Sequence, residues 1–252
     1  MTEKSGTVGK ALGLLTMLGE YPQGATAGQI AEAAGYPFST AYRLLNTLVK
    51  TGFAAYDPQE KHYRLGLRIY QLGQKVAHHR GFEGAARPAL QHLTESTGES
   101  SILAVLDDDQ FLTVHKVDGP QFRITTDPGD RGPLHTSSLG KVLLAYAEPA
   151  TREHLLASID LVPRTEHSIT DRDELRRQID EVRQQGWAGQ SEENDVGMAA
   201  VAVPVLSASH RLIAAVSLAA PLFRTDLEGL QHHLPELRRA AATLALELPI
   251  RT

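Results

Sequence analysis

Residues 26–51 read TAGQIAEAAGYPFSTAYRLLNTLVKT, and this stretch decides the fold of the first part of the chain. Apolar residues recur at helical spacing on both sides of the turn Gly35-Tyr36-Pro37. Gly35 can end a helix in the left-handed conformation, and Pro37 cannot continue one. The spacing therefore predicts a helix-turn-helix whose first helix spans Ala27–Ala34.

The second helix of this motif carries the candidate DNA-reading side chains. Leu44, Leu45 and Leu48 form its apolar face, and Ser39 or Thr40 is expected to cap its start. The other face presents hydroxyl, guanidinium, amide and ammonium groups, which contact base edges and phosphates in a major groove. An ordinary two-helix corner is the alternative interpretation. The expected DNA contacts are Ser39, Thr40, Tyr42, Arg43, Asn46 and Lys50.

The charge of the chain is distributed unevenly. Residues 1–80 contain nine lysines or arginines against five acids, whereas the remainder contains 16 against 25. No acidic residue, which phosphate would repel, lies between residues 33 and 56. This asymmetry indicates that only the first part of the chain meets a polyanion, although chance can produce the same imbalance.

The overall composition is that of a globular chain of 252 residues, long enough for two domains. Cysteine is absent, which excludes disulfides, thiolate catalysis and cysteine metal sites. No apolar run approaches the roughly 20 residues of a membrane span. The N-terminus also lacks a secretory apolar core. We expect a cytoplasmic protein with no membrane partner.

The segments around the helix-turn-helix predict a winged helix. A helix at residues 8–18 precedes the motif, and two short strands at residues 53–56 and 62–65 follow it as a hairpin. The basic residues of the wing either contact the DNA backbone or minor groove or are solvated. They are Lys61, His62 and Arg64.

An amphipathic segment at residues 65–79 predicts a helix that links the two domains. We therefore divide the chain into a winged helix-turn-helix domain at 1–65, a linker helix at 66–83, and a second domain at 84–252. The second domain is predicted to be α/β with a mainly antiparallel sheet, which makes the whole chain α+β.

Apolar runs and turn residues define the elements of the second domain. Its predicted strands are residues 101–106, 111–117, 121–126, 198–206 and 212–219. Its predicted helices are residues 84–97, 150–157, 170–186 and 225–248, with one more after a polar loop at 134–139. Residues 127–133 and 187–197 are predicted to be loops.

The polar loop at 134–139 runs into a helix that contains Gly140-Lys141. Backbone amides at such a helix start suit an anion such as a carboxylate, and simple capping is the alternative. The spacing matches neither a Walker A loop nor a nucleophile elbow. An enzyme would have to use Glu192, Glu193, His135 or Ser138, and these residues form no recognisable nucleophile–base motif. We predict no catalytic residues, no metal and no cofactor.

Several stretches, in this order along nearly the whole chain, resemble the IclR family of bacterial transcription regulators. The matching pieces are Ser39-Thr40-Ala41-Tyr42-Arg43-Leu44-Leu45-Asn46-Thr47-Leu48, Gly52-Phe53, Tyr63-Arg64-Leu65-Gly66, Leu134-His135 with Gly140-Lys141, Gly186-Trp187-Ala188, Glu192-Glu193, Gly197, Ala202-Val203-Pro204-Val205 and Ala215-Val216-Ser217.

The resemblance implies a homodimer, or a dimer of dimers, on a partly palindromic double-stranded DNA operator. It also implies a GAF-like effector domain that holds a small metabolite. Carried over by position, the effector-binding residues are Ser138, Leu139, Gln190, Ala200, Ser217 and Ala219, with Phe122 and Ile124 as an apolar wall.

The carried-over positions differ from those of acid-binding members of the family. Gln190 stands where an acidic side chain is often found, Ser138-Leu139 replaces a smaller pair, and Ala219 lacks a hydroxyl. We therefore expect an aromatic acid or a related amide, rather than a small keto acid, as the effector. The complete hypothesis is a ligand-responsive regulator of a catabolic operon. The alternatives are a second domain that only dimerises and, less favoured, a small-molecule enzyme.

Overall fold

The computed structural model describes residues 6–79, 84 and 86–248. The chain forms two compact units, Met1–Ala77 and His78–Thr252, and each is described by itself. The predicted linker ends at residue 83, and residues 80–83 lie outside the described part. The predicted domain limits therefore stay a prediction.

Three helices and a hairpin form the first unit. The helices are α1 (Thr7–Gly19), α2 (Ala27–Ala34) and α3 (Phe38–Lys50), the hairpin strands are β1 (Ala54–Asp57) and β2 (His62–Leu65), and α4 (Leu67–His79) follows. Gly35 ends α2 with φ +65°, as its position predicts. The three helices and β2 enclose one core around Leu14, Ile30 and Leu45, each fully buried.

The expected cap of α3 is wrong. The helix begins at Phe38, and Pro37 occupies the capping position without any side-chain cap. The Pro37 carbonyl accepts hydrogen bonds from the amides of Thr40 and Ala41 at 2.9 and 3.1 Å. The ring of Pro37 fixes its φ angle, and the helix begins at the next residue. Ser39 and Thr40 therefore lie inside the first turn, where their hydroxyls do not cap the helix.

The second unit is built on one antiparallel sheet of six strands in the order β5-β4-β3-β8-β7-β6. The strands are β3 (Ser100–Asp107), β4 (Gln110–Val117), β5 (Arg131–Pro133), β6 (Ala188–Ser191), β7 (Met198–Leu206) and β8 (Leu212–Pro221). Its helices are α5 (Arg87–Thr97), α6 (Ser138–Tyr146), α7 (Pro149–Ser158), α8 (Arg172–Gln185), α9 (Leu227–Gln231) and α10 (Leu234–Glu247).

Helices cover both faces of this sheet, which explains its nearly continuous apolar strands. Along β3, Leu103 and Val105 belong to a core with α5 and α10. The alternate residues Ile102 and Ala104 belong to a second core with α6, α7 and α8. The predicted fold class is confirmed: a winged helix-turn-helix, a linker helix, and an α/β domain with an antiparallel sheet.

Four expectations for the second unit are wrong. Residues 121–126 form no strand, because their carbonyls accept from side chains: Ser100 Oγ donates to Phe122 O at 3.2 Å, and Lys116 Nζ to Ile124 O at 3.0 Å. The loops expected at 127–133 and 187–197 instead contribute the edge strands β5 and β6. Residues 225–248 form two helices rather than one, since Pro235 starts a new helix.

Candidate functional site

The exposed face of α3 carries the six predicted DNA-contacting residues. Ser39, Tyr42, Arg43 and Lys50 are exposed, and Thr40 and Asn46 are half-buried. The opposite face packs Leu44, Leu45 and Leu48 into the core. The helix therefore brings the predicted residues together on one side, as its period requires.

Asn46 differs from the others because the protein orients its side chain. The Tyr63 hydroxyl donates to Asn46 Oδ1 at 3.4 Å. Tyr63 is buried, and desolvation raises the pKa of its phenol, so the hydroxyl keeps its proton and remains a donor. The Asn46 amide nitrogen has no protein partner in the described part of the chain. It is therefore the Asn46 group best placed to donate to a ligand.

The wing offers less positive charge than its sequence suggests. Arg64 donates to the Gln23 carbonyl at 3.1 Å and pairs with Glu60, and His62 Nδ1 lies 3.8 Å from the same carboxylate. Lys61 is exposed, and no contact ties its ammonium to another described residue. Of the three expected wing cations, Lys61 is thus the one that can reach a phosphate without losing an internal pair.

The second candidate site is a cavity of about 330 Å³ inside the second unit. It lies where strands β3, β7 and β8, the start of α6 and the loop after β4 meet. All eight residues expected to bind an effector line it: Phe122, Ile124, Ser138, Leu139, Gln190, Ala200, Ser217 and Ala219. The structure therefore brings together positions from five separate stretches of the chain.

Other residues of the cavity escaped the sequence analysis. Ile102, Phe111 and Met198 add apolar wall, and Asn194 adds an amide whose Oδ1 accepts from Thr136 Oγ1 at 3.0 Å. The apolar run of β3 could not have identified Ile102, because both faces of this strand are buried and its sequence does not show which side chains face the cavity. For Asn194 no local signal exists, because its partner is 58 residues away.

The loop after β4 covers the cavity and is held mainly by side chains at both ends. At one end, buried Lys116 donates to Asp127 at 2.7 Å and to the Ile124 carbonyl at 3.0 Å. Its hydrogen bond lowers the pKa of the Asp127 carboxyl. At the other end, the Phe122 ring packs edge-on against Phe223, with centroids 4.9 Å apart. Residues 121–126, which lie between these ties, have no strand pairing.

Some polar groups of the cavity can donate hydrogen bonds to a ligand, and Asp195 adds a carboxylate that can only accept them. Gln190 Oε1 accepts from the Glu193 amide at 3.0 Å, which leaves its NH₂ group for a ligand. Ser217 Oγ is fully buried and has no hydrogen-bond partner among the residues that the structure describes. Ser137 caps α6, because its hydroxyl accepts from the Gly140 amide at 2.9 Å and its carbonyl from the Lys141 amide at 2.9 Å. The first two helix residues, Ser138 and Leu139, line the cavity. Acceptor atoms of a ligand would satisfy the donors of Gln190 and Ser217.

A buried ion pair lies directly behind Gln190. Lys141, of which 1% of the side chain is exposed, donates to both carboxylate oxygens of Glu193 at 2.7 and 2.8 Å and to Gln178 at 2.8 Å. Desolvation outweighs the attraction between the two charges, so it lowers the pKa of Lys141 and raises that of Glu193. The pair holds the turn between β6 and β7 against α6.

The residues of the enzyme alternative have structural partners instead. His135 is bonded to the Val162 carbonyl at 3.1 Å, and burial lowers its pKa, so the neutral ring donates this bond. Glu192 accepts from the Gly197 amide at 2.8 Å. No described hydrogen bond joins Ser138 to any of these groups. Within the described residues, no three His, Asp or Glu side chains are placed to hold a metal ion.

Within the described residues, no helix is long and apolar enough to cross a membrane.

Comparison with known proteins covers both units. Residues 7–58 match the model of the IclR helix-turn-helix domain, and residues 74–246 match that of the bacterial transcriptional regulator IclR C-terminal domain.

Two curated relatives illustrate the likeness. The HTH-type transcriptional regulator KdgR of Dickeya chrysanthemi is 31% identical over 94% of this chain and 77% of its own length. The HTH-type transcriptional regulator XynR of Escherichia coli K12 is 30% identical over 96% of each chain.

Solved structures agree with the fold. An IclR transcriptional regulator from Alicyclobacillus acidocaldarius has a TM-score of 0.83 at 28% identity, over 97% of this chain and 99% of that one. An IclR homologue from Microbacterium hydrocarbonoxydans, complexed with 4-hydroxybenzoate, has a TM-score of 0.78 at 25% identity, over 94% of this chain and 98% of its own.

Proposed function

The chain belongs to the IclR family of bacterial transcriptional regulators, and we propose that it controls a catabolic operon in response to a small organic acid. Like its relatives, it is a DNA-binding regulator and not an enzyme. Its place of action is then the bacterial cytoplasm, where the operator DNA lies. The observation that carries the ligand-responsive part is the cavity of the second unit.

The chemistry of the cavity favours an aromatic carboxylate or its amide. Gln190 and Ser217, with the amides at the start of α6, would satisfy oxygen acceptors at one end of the ligand. Phe111, Phe122 and neighbouring aliphatic side chains would pack against an apolar body. The homologue solved with 4-hydroxybenzoate supports this class.

A thermal-shift screen of aromatic acids, other small organic acids and their amides tests the proposal. A ligand at 100 times its Kd should add about 2.7 kcal/mol to the stability of the unit that binds it. Ser217→Trp should abolish this shift, because the indole fills the cavity. Ser217→Ala, the matched control, should keep the apo protein at least as stable, because it removes an unsatisfied buried hydroxyl, and should weaken the ligand shift.

Two other results would count against this function. A ligand shift that persists in Ser217→Trp would place the binding site elsewhere. If no compound of these classes raises the melting temperature while DNA binding is intact, the alternative function is favoured, in which the second unit only assembles the oligomer. A hit should next change the affinity for operator DNA, and a coupling of about 1–3 kcal/mol corresponds to a 5- to 150-fold change.

The first unit presents apolar surface suited to a second copy of the chain. On α4, Ile69, Leu72 and Val76 are spaced by three and four residues, and Leu72 and Val76 are 44% and 54% exposed. Apolar residues at this spacing typically form the contact face between two paired helices. On α1, Val8 and Leu12 are also exposed. We propose that these surfaces of α1 and α4 form a homodimer that presents two α3 helices to a palindromic operator.

Sedimentation velocity tests this interface. Leu72→Glu with Val76→Glu should reduce the mass of the assembly at least by half, because four like charges cannot be buried together at a two-fold seam. Gln71→Glu, also on α4 and exposed, should leave the mass unchanged. If the double variant keeps the wild-type mass, the copies associate through another surface, and this dimer model is wrong.

A further inference from the structure

An exposed aromatic pair stands at the start of α3. Phe38 is 58% exposed and Tyr42 is 48% exposed, although the other large apolar side chains of this helix are turned towards the core. The two rings are one helical turn apart and stack with centroids 5.8 Å apart at 17°. The Phe38 ring therefore stacks on Tyr42 while more than half of the residue stays exposed to solvent.

The position of this aromatic pair on α3 indicates a role in base recognition. The first residues of a recognition helix are those that contact base edges when the helix lies in the major groove. Phe38 is the first residue of α3, next to Ser39 and one turn before Tyr42 and Arg43. An apolar ring at this point meets base edges that are almost entirely polar, with one exception. Thymine carries a 5-methyl group in the major groove, and phenylalanine is one of its side-chain contacts.

We propose that Phe38 is a specificity-determining residue that packs its exposed face against a thymine methyl group and so selects a T·A pair in each half-site. The inference rests on α3 being the helix that enters the DNA groove. Tyr42 acts as a positioning residue, because its ring supports that of Phe38. Polar readout by Arg43 and Asn46 would then specify the neighbouring base pairs.

The test first needs DNA sites chosen by the protein itself. The full chain selects duplexes from a random-sequence pool, and each thymine of a selected site is then replaced by uracil. This replacement removes the methyl group and leaves the hydrogen-bonding edge intact. One thymine in each half-site should respond with a loss of affinity of about fourfold, which corresponds to one buried methyl group.

A double-mutant cycle then assigns that methyl group to Phe38. Phe38→Ala should bind the thymine duplex at least fourfold more weakly than the wild type and should no longer distinguish thymine from uracil. Phe38→Leu should retain part of the discrimination. Leu246→Ala, which removes an apolar side chain that is 88% exposed in the second unit, should leave both quantities unchanged.

Three results would overturn the inference. If Phe38→Ala still discriminates thymine from uracil as the wild type does, the methyl group is read by another residue. If no uracil substitution affects the wild type and Phe38→Ala lowers the mass of the assembly, a second copy covers the ring. If the wild type enriches no sequence at all, the assignment of α3 as the DNA-reading helix fails first, and this inference fails with it.

Discussion

Replacing Lys141 with methionine is expected to lower the free energy of unfolding of the second unit by about 3–5 kcal/mol. The change keeps the length of the side chain but leaves the largely enclosed Glu193 carboxylate, with 13% of its side chain exposed, without its cation. Gln178 also loses the ammonium group that donates to it at 2.8 Å. Chemical denaturation of the full chain, followed by the fluorescence of its single tryptophan, Trp187 in the second unit, measures the loss.

The double variant Lys141→Met/Glu193→Met is the matched control. Because it removes both charges together, it should recover most of the lost stability. If the double variant is as unstable as Lys141→Met, then packing around residue 141, and not the orphaned charge, explains the loss. This outcome would contradict the role assigned to the ion pair.

The loss in Lys141→Met should also depend on pH. Burial raises the folded-state pKa of Glu193 above the ordinary carboxyl value of 4.5, whereas the nearby Lys141 ammonium lowers it, so removing Lys141 should raise this pKa further than in the wild type. A group with a raised folded pKa stabilises the protein fully below its unfolded pKa, and this stabilisation disappears as the pH rises through the folded value. The variant should therefore be closest to the wild type near pH 4.5 and fall further below it towards neutral pH. A pH-independent difference would exclude Glu193 as the cause.

Arg43→Ala is expected to weaken binding to the selected duplex by about 1–3 kcal/mol, which is a factor of about 5 to 150. Arg43 is exposed on α3 and has no ion pair within the described residues, so its guanidinium is available for two hydrogen bonds to a guanine edge. Binding should also lose its base preference at one position of each half-site. Competition with duplexes that vary one base pair at a time measures both effects.

Lys50→Ala provides the contrast: Lys50 is the last residue of α3, and we predict that its ammonium contacts a phosphate. It should weaken binding about equally for all sequences and reduce the slope of affinity against salt by about one. If Arg43→Ala produces this uniform pattern instead, Arg43 contacts the backbone, and another residue of α3 reads the base. Unchanged circular dichroism of both variants excludes unfolding as the reason.

Local patterns in the sequence were sufficient for most of the first unit. The bounds of α2, its end at Gly35 and the hairpin after α3 follow from contacts between residues close in the chain, and such contacts leave a period or a turn signature. The start of α3 was misplaced because Pro37 and the hydroxyl residues compete for the same capping position. Phe38 escaped notice because an aromatic residue in an apolar-periodic helix usually faces the core.

The cavity depended on another kind of information. Its eight predicted residues came from family resemblance, since no period or spacing connects residue 122 with residues 138, 190 and 217. The strand expected at residues 121–126 shows the limit of local patterns. The segment does alternate in polarity, but Lys116 and Ser100 donate hydrogen bonds to its carbonyls. It therefore covers the cavity instead of joining the sheet.

By itself, then, the sequence determined a basic helix-turn-helix with an acid-free reading face and an α/β partner domain, because helical periods and turn residues act over a few positions. Only the tertiary structure decided which polar groups are desolvated and which of them have hydrogen-bond or ion-pair partners. Lys141 and Glu193 are 52 residues apart, and Ser217 is left without a hydrogen bond in a strand that reads as ordinary core. Desolvation and pairing depend on which distant segments meet, so these sites exist only once the chain has folded.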